Sequence, residues 1–187
     1  MENAVFYFEW LTCPKTEFNI LAMIAEQGGS YSGNYTDIMR YLNVTPQSRN
    51  RRGLQTAIES LTSKGFITCD SSGRIRHLKV IPKAREIAVP KRWVQSVLRH
   101  DYASEAVAAA PVLKVFLWIV HNEQDVVTND MIAADLGVSV STVVSAKNVL
   151  EREYENITKR KVSEKLSADC FRTLGQELQA LVLWKDE

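Results

Sequence analysis

"VTPQSRNRRGLQTAIESLTSKGFI", from Val44 to Ile67, is the segment with the clearest structural pattern in the chain. Four apolar residues recur along it at helical spacing, namely Leu54, Ala57, Ile58 and Leu61. We expect Thr45 to cap the N-terminus of this helix and Pro46 to occupy its first helical position. Gly65 follows the last apolar residue and is expected to end the helix. The stretch therefore predicts one long amphipathic helix.

The first two turns of this helix carry Arg49, Arg51 and Arg52. A helix N-terminus is the positive end of the macrodipole, so each exposed cation there costs roughly 0.3–1 kcal/mol. An ordinary solvated face would carry Glu and Lys in i,i+4 pairs, and no such pair accompanies the three arginines. A cluster that lowers helix stability without compensation indicates a functional site. We therefore expect an anion to bind there.

The neighbouring segments place this helix third in a series. "EFNILAMIAEQGG" predicts a first helix that ends at Gly28, and "YTDIMRYLNV" predicts a second helix that Thr36 would cap. After the third helix, "FITCD" and "RIRHLKVI" are two extended runs joined by a turn at 71–73. The predicted order is helix, helix, helix, hairpin.

The same unit is found again when the sequence is shifted by 94 positions. The shift places Phe18 on Val112 and Ile38 on Ile132, and no gap is needed between residues 17 and 45. This indicates an internal duplication. The third helix of the second copy, from Ser139, is predicted to be about one turn shorter. "NITKRKVSEKL" after it is a candidate basic strand, and "FRTLGQELQALVLW" is left open between a strand and a closing helix.

These patterns predict a basic N-terminal domain over residues 1–90, a linking helix within 91–110 and a C-terminal domain over 111–187. Trp93, Val94, Val97 and Leu98 have helical spacing in the linking segment. The apolar N-terminal run "AVFYFEWL" is expected to be an added strand or a dimer contact rather than a free arm. A homodimer contact through this run or the linking helix is left open.

The charge is distributed unevenly along the chain. Residues 1–92 hold 13 Lys and Arg against 8 Asp and Glu, whereas residues 93–187 hold 10 against 14. The excess is steepest in residues 45–92, with 11 basic and 3 acidic residues. This asymmetry predicts a polyanionic partner for the N-terminal half and an acidic C-terminal half.

Several classes of function and site are disfavoured. The sequence has no Gly-rich phosphate loop, no GxSxG nucleophile motif and no His–carboxylate spacing typical of a metal site, so no enzyme activity, metal or cofactor is expected. Cys13, Cys69 and Cys170 are too few and too far apart for a disulfide framework and are expected to be small buried residues. No apolar run reaches a membrane span, and the N-terminus does not resemble a secretory signal, which predicts a cytoplasmic location without membrane contact.

"DIMRYLNV", the helix ending "IESLTSKGFI" and the turn at "DSSG" resemble the winged helix-turn-helix family of bacterial DNA-binding proteins. "NDMIAADLGVSVSTVVSAKNVL" carries the resemblance into the second copy. The resemblance covers residues 17–81 and 111–166 and implies a mostly α (α+β) fold of two tandem winged helix-turn-helix domains. In that family the third helix enters the major groove and the hairpin wing touches the backbone or minor groove.

The predicted function is sequence-specific binding of double-stranded DNA, as a transcription regulator or a mobile-element protein. A replication initiator of the plasmid type and a protein-interaction scaffold of tandem winged helices are the alternatives. The residues expected to contact DNA are Thr45, Gln47, Ser48, Arg49, Arg51, Arg52, Gln55, Thr56, Arg74, Arg76, His77 and Lys79 in the first domain, and Ser141, Ser145, Asn148, Lys159, Arg160 and Lys161 in the second.

Overall fold

Seven helices and two small antiparallel sheets make up the described part of the chain, which is a mixed α+β fold. The computed structural model describes residues 2–100, 102, 106–122 and 127–158. The chain divides into two units between Arg99 and His100. The predicted class, mostly α with some β structure, agrees with the described elements.

Three helices form the centre of the N-terminal unit. They are α1 (Lys15–Glu26), α2 (Tyr35–Tyr41) and α3 (Ser48–Ser63). The apolar stripe of α3 is buried as its spacing predicts, and α3 packs against both α1 and α2. This packing leaves the opposite face of α3 in solvent.

A three-stranded antiparallel sheet follows the order β2–β4–β3. Its strands are β2 (Ser30–Gly33), β3 (Ile67–Ser72) and β4 (Ile75–Val80). The predicted hairpin is therefore confirmed, with Ser72 opposite Ile75 and Gly73 in the left-handed region at the turn (φ 59°). Strand β2 is an addition that the sequence did not predict.

A second sheet pairs the N-terminal run with the segment after the hairpin. Strand β1 (Asn3–Tyr7) pairs with β5 (Glu86–Pro90), so the expectation of an added strand is confirmed. Phe6 and, just after the strand, Trp10 are fully buried. Helix α4 (Lys91–Arg99), the helix predicted in the linking segment, packs on α1, β1 and β5 of the same unit.

The starts of two helices differ from the sequence-based expectation. Asn34, not Thr36, caps α2: its Oδ1 accepts from the backbone N–H groups of Thr36 and Asp37, and Asp37 Oδ2 accepts from the Asn34 N–H. This is a capping box, with Asn and Asp in the reciprocal roles. Helix α3 begins at Ser48 after the N-cap Gln47, so Thr45 does not cap it. Thr45 instead accepts a hydrogen bond at its carbonyl from Asn50 Nδ2 (2.8 Å).

The described part of the C-terminal unit contains three helices. They are α5 (Ala109–His121), α6 (Asn129–Leu136) and α7 (Val140–Thr158), and each packs against the other two. The prediction of a shorter third helix is wrong, because α7 has 19 residues and α3 has 16. The first three residues of the candidate basic strand, 156–158, are helical. The remainder of that strand and the segment after it lie outside the described residues.

Equivalent positions of the two units have the same local structure. Asn43 and Gly137, which the 94-residue shift aligns, both adopt the left-handed conformation (φ 52° and 63°) just after α2 and α6. In each case the next residue donates its N–H to a carbonyl five residues earlier, Val44 to Met39 and Val138 to Ala133. This is the Schellman arrangement, which ends both second helices in the same way.

Candidate functional site

The start of α3 presents cations that no described partner neutralises. The first turn contains no acidic residue, and the N-cap Gln47 makes no side-chain capping bond. The side chains of Arg49 and Arg52 are exposed and form no hydrogen bond or ion pair with another described residue. Because the helix dipole also disfavours them, both are left with an unfavourable local environment in the isolated protein.

Arg51, between these two, has a specific neighbour. Its guanidinium carbon lies 5.4 Å from the centroid of the Tyr35 ring, at the start of α2. The guanidinium carbon of Arg76, on β4, lies 5.2 Å from the same centroid. Tyr35 is only 8% exposed and therefore forms a fixed support for both arginines. This contact brings the start of α3 and the hairpin into one cationic region.

The hairpin residues do not all have the same surroundings. Arg76 is half-buried, and its Nη1 donates to the carbonyl oxygens of Gly73 (3.1 Å) and Ile75 (3.3 Å). Alternation along β4 puts it on the side of the buried Leu78, whereas His77 and Lys79 are exposed. The His77 Nδ1 atom lies 2.9 Å from the Ser32 hydroxyl oxygen on β2. Arg76 is thus a structural part of the hairpin, on the opposite side of β4 from the exposed His77 and Lys79.

A surface cavity of about 560 Å³ lies between α2, the start of α3 and the hairpin turn. Arg40, Arg51 and Arg74 line it, together with one carboxylate, Asp37. Asp37 Oδ1 is 4.0 Å from Arg40 Nη1, and Arg74 is exposed without a described partner. Burial, with a smaller contribution from the Asp37 charge, raises the pKa of the nearby Tyr31 hydroxyl.

The remaining predicted residues of the first unit lie on the outer surface. Thr45, Gln47, Ser48 and Thr56 are exposed. Gln55 is exposed as well, but its Nε2 donates to Glu59 Oε1 (2.9 Å), one turn further along α3. Gln55 would have to exchange this bond for any contact with a base.

In the C-terminal unit, the predicted residues lie on a less polar face than expected. Ser141 and Asn148 are exposed and Ser145 is half-buried. Val140 and Val144, one turn apart on α7, are each 40% exposed, and the sequence analysis missed them. Lys159, Arg160 and Lys161 lie outside the described residues.

Tyr35 and Arg40 were also missed by the sequence analysis. A tyrosine beside a cap and an arginine in the last turn of a helix are ordinary at those positions, so neither gives a signal by itself. Only the fold shows that they lie beside Arg51 and Arg74.

None of the protein-family models, curated proteins or solved structures compared with this chain matches it. Along the described residues, no helix has both the length and the apolar character that a membrane crossing needs. Among the same residues, no three His, Cys, Asp or Glu side chains are grouped so that they could hold a metal ion.

Proposed function

We propose that this protein binds duplex DNA sequence-specifically through the third helix and the hairpin of its N-terminal unit. The order helix, strand, helix, helix and hairpin supports a winged helix-turn-helix assignment, with α3 as the recognition helix and β3–β4 as the wing. The matched helix ends at Asn43 and Gly137 support a duplicated unit. The family resemblance supplies the function, and the charge at the start of α3 supports it independently.

The observation that carries the proposal is the pair of uncompensated arginines, Arg49 and Arg52. Each is exposed at the positive end of α3 without a partner among the described residues. The negative potential of the duplex would turn this arrangement from unfavourable to favourable, and release of counterions from DNA would add to the binding free energy. A protein-interaction scaffold has no need of these two cations.

Different residues are proposed to read the base sequence and to position the protein on the DNA backbone. Arg49, Arg52 and Thr56 project from the solvent face of α3, where side chains of a recognition helix reach base edges. Arginine makes bidentate contacts with guanine, which is the commonest specific contact. Lys79 and Arg74 on the hairpin are assigned to the DNA backbone. Arg76 acts mainly by holding the hairpin beside Tyr35.

The exposed valines of α7 favour a second role for the C-terminal unit. Val140 and Val144 give the start of α7 an exposed apolar surface, whereas the start of α3 carries arginines. Such a face suits contact with protein, or with thymine methyl groups, more than contact with phosphate. We therefore assign DNA affinity mainly to the N-terminal unit, in a transcription regulator or a mobile-element protein. A replication initiator of the plasmid type is the close alternative.

Selection of bound sequences from a random pool of duplexes tests this function. The full chain is expected to enrich one motif, and the Arg49→Ala, Arg52→Ala double variant is expected to lose the enrichment while it still folds. Lys15→Ala, which removes an exposed cation at the start of α1, is the matched control and is expected to enrich the same motif. Failure of the unchanged chain to enrich any duplex would contradict the proposal.

A further inference from the structure

The cavity between α2, the start of α3 and the hairpin turn has the chemistry of an anion site. Three arginines and one carboxylate line its sides, so the lining residues carry an excess of two positive charges. Asp37 is already engaged by the Asn34 backbone N–H and lies 4.0 Å from Arg40. Arg51 and Arg74 have no carboxylate partner among the described residues. These two guanidinium groups are therefore available to a ligand.

The two arginines come from different parts of the fold, and each is held near the cavity. The Tyr35 ring supports Arg51 at 5.4 Å. The same ring supports Arg76, which in turn bonds the carbonyl oxygen of Gly73, next to Arg74 in the turn. Cation–π contact restricts a long side chain without using its N–H donors. Tyr35 thus positions the donors of Arg51 and, through Arg76, the hairpin turn that carries Arg74.

We propose that this cavity is a binding site for a single phosphate group, which Arg51 and Arg74 hold from opposite sides and Arg40 faces. Guanidinium donors match the geometry of phosphate oxygens and form charge-assisted hydrogen bonds with them. The inference rests on the proposed function, because the expected source of the phosphate is one phosphodiester of the bound duplex. A free phosphate ion has the same chemistry, and the test separates the two sources.

The first arm of the test uses duplexes of the selected sequence in which one phosphodiester at a time is a neutral methylphosphonate. With the unchanged protein, several contacted positions are expected to be sensitive, and at the one that the cavity holds the change should weaken binding on the order of tenfold or more, as the loss of a charge-assisted bond should. Arg51→Gln and Arg74→Gln are each expected to bind the ordinary duplex more weakly and to become insensitive at that same position. Both should stay sensitive at other positions.

Lys15→Gln is the matched control for the loss of one positive charge. The ion pair between Lys64 Nζ and Glu17 Oε2 (2.6 Å) fixes the start of α1 beside the end of α3. The control cation therefore lies near the far end of α3, whose 16 residues span about 24 Å. Lys15→Gln is expected to keep the sensitivity of the unchanged protein at every phosphate position.

Tyr35 is tested as a positioning residue. Tyr35→Phe keeps the aromatic face and is expected to retain the pattern of methylphosphonate sensitivity. Tyr35→Leu is expected to reduce the loss of affinity that methylphosphonate causes at the position held by the cavity. A purely structural role would lower the melting temperature of Tyr35→Leu without changing which phosphate matters. If Tyr35→Leu does not fold, the scans of Arg51→Gln and Arg74→Gln still decide the site.

The second arm is a calorimetric titration of the protein with inorganic phosphate alone. Weak binding, in the range of many millimolar, agrees with a phosphodiester source. Submillimolar binding that Arg51→Gln abolishes would assign the cavity to a free anion and overturn the duplex source. The single-phosphate site is overturned if Arg51→Gln and Arg74→Gln become insensitive at different positions, or at none. If the unchanged protein binds no duplex, the proposed function fails, and the phosphate titration still decides the site.

Discussion

The guanidinium carbon of Arg76 lies 5.2 Å from the centroid of the Tyr35 ring. The same side chain donates to two carbonyl oxygens of its own hairpin, at Gly73 and Ile75. These contacts join the hairpin to the start of α2, and through Arg51 they extend to α3. The relative position of the helix and the hairpin is therefore set within the protein before any partner binds.

Replacing Arg76 should destabilise the N-terminal unit. Arg76→Met removes the cation–π contact and two hydrogen bonds, and we expect the free energy of unfolding to fall by about 1 kcal/mol. Lys79→Met, a matched change on the exposed side of the same strand, should alter it by less than about 0.5 kcal/mol. Urea denaturation of both variants measures the difference. Equal effects would show that the contacts of Arg76 contribute nothing to stability.

Removing the cations at the start of α3 should raise stability and lower affinity together. Arg49→Ala removes an exposed cation from the first turn of α3, which should add about 0.3–1 kcal/mol to the free energy of unfolding. Arg52 lies in the second turn, where the dipole is weaker, so Arg52→Ala should add less. Arg52→Ala should also cost roughly 1–3 kcal/mol on the preferred duplex and relax the preference at one or two base pairs. Melting curves without DNA and binding curves on preferred and scrambled duplexes measure both effects.

Arg99→Ala is the control for the effect of the helix dipole, because it should change the free energy of unfolding in the opposite direction. Arg99 is exposed in the last turn of α4, where the helix dipole favours a cation, so its removal should lower stability. A fall in melting temperature for Arg52→Ala would make Arg52 a structural residue. If Arg52→Ala lost the same affinity for the preferred and the scrambled duplex, Arg52 would contact only phosphates.

The capping residue of α2 can be identified by a pair of alanine substitutions. Asn34→Ala removes the acceptor for two backbone N–H groups and should cost about 1 kcal/mol. Thr36→Ala, at the position that the sequence favoured, removes no capping bond and should cost clearly less. Thermal denaturation of the two variants without DNA gives the comparison. A larger loss for Thr36→Ala would contradict the capping box.

Tyr41 should make stability depend on alkaline pH. Burial first, and then the hydrogen bond to the buried Glu26 carboxylate, raise the pKa of the Tyr41 hydroxyl above its ordinary 10.0. Above pH 10 the unfolded state therefore loses this proton while the folded state keeps it, and stability falls as pH rises. Tyr41→Phe should show a shallower fall than the unchanged protein.

Urea denaturation at pH 8 and at pH 10.5 separates the two contributions of Tyr41. At pH 8 the hydroxyl is neutral in both states, so the difference between variant and unchanged protein reports its hydrogen bond. That difference should shrink at pH 10.5. If it stays constant, the hydroxyl titrates alike in the folded and unfolded states.

The sequence predicted the elements that depend on local pattern. The apolar spacing of α3 and the extended runs of the hairpin define their elements because helical and extended periods differ. The N-terminal strand was expected because its apolar residues need burial. Strand β2 was not expected, since Ser30–Gly33 has no apolar alternation and is ordered mainly by pairing with β4. The predicted capping residues were wrong because two plausible residues lie near each helix start, and only the backbone geometry distinguishes between them.

The candidate site was predicted less completely than the fold. Arg49 and Arg52 could be singled out, because an uncompensated charge at a helix start is a local feature. The supporting ring of Tyr35 and the cavity lining at Arg40 could not, since they depend on contacts between separate elements. Alternation along β4 could have separated Arg76 from Lys79. The prediction instead treated all the basic residues of the hairpin as one group of DNA contacts.

Binding of duplex DNA by the N-terminal unit should depend steeply on salt concentration. Six cations of the N-terminal unit are exposed on the proposed DNA-binding surface, namely Arg40, Arg49, Arg51, Arg52, Arg74 and Lys79. Each displaces condensed counterions from the duplex, whether its donors reach phosphate oxygens or base edges. At about −0.9 per displaced counterion, a plot of log affinity against log salt should have a slope near −5. Between about 50 and 200 mM salt, affinity for the selected duplex should then fall roughly a thousandfold. A slope near zero, or no binding to any duplex at about 50 mM salt, would contradict the account.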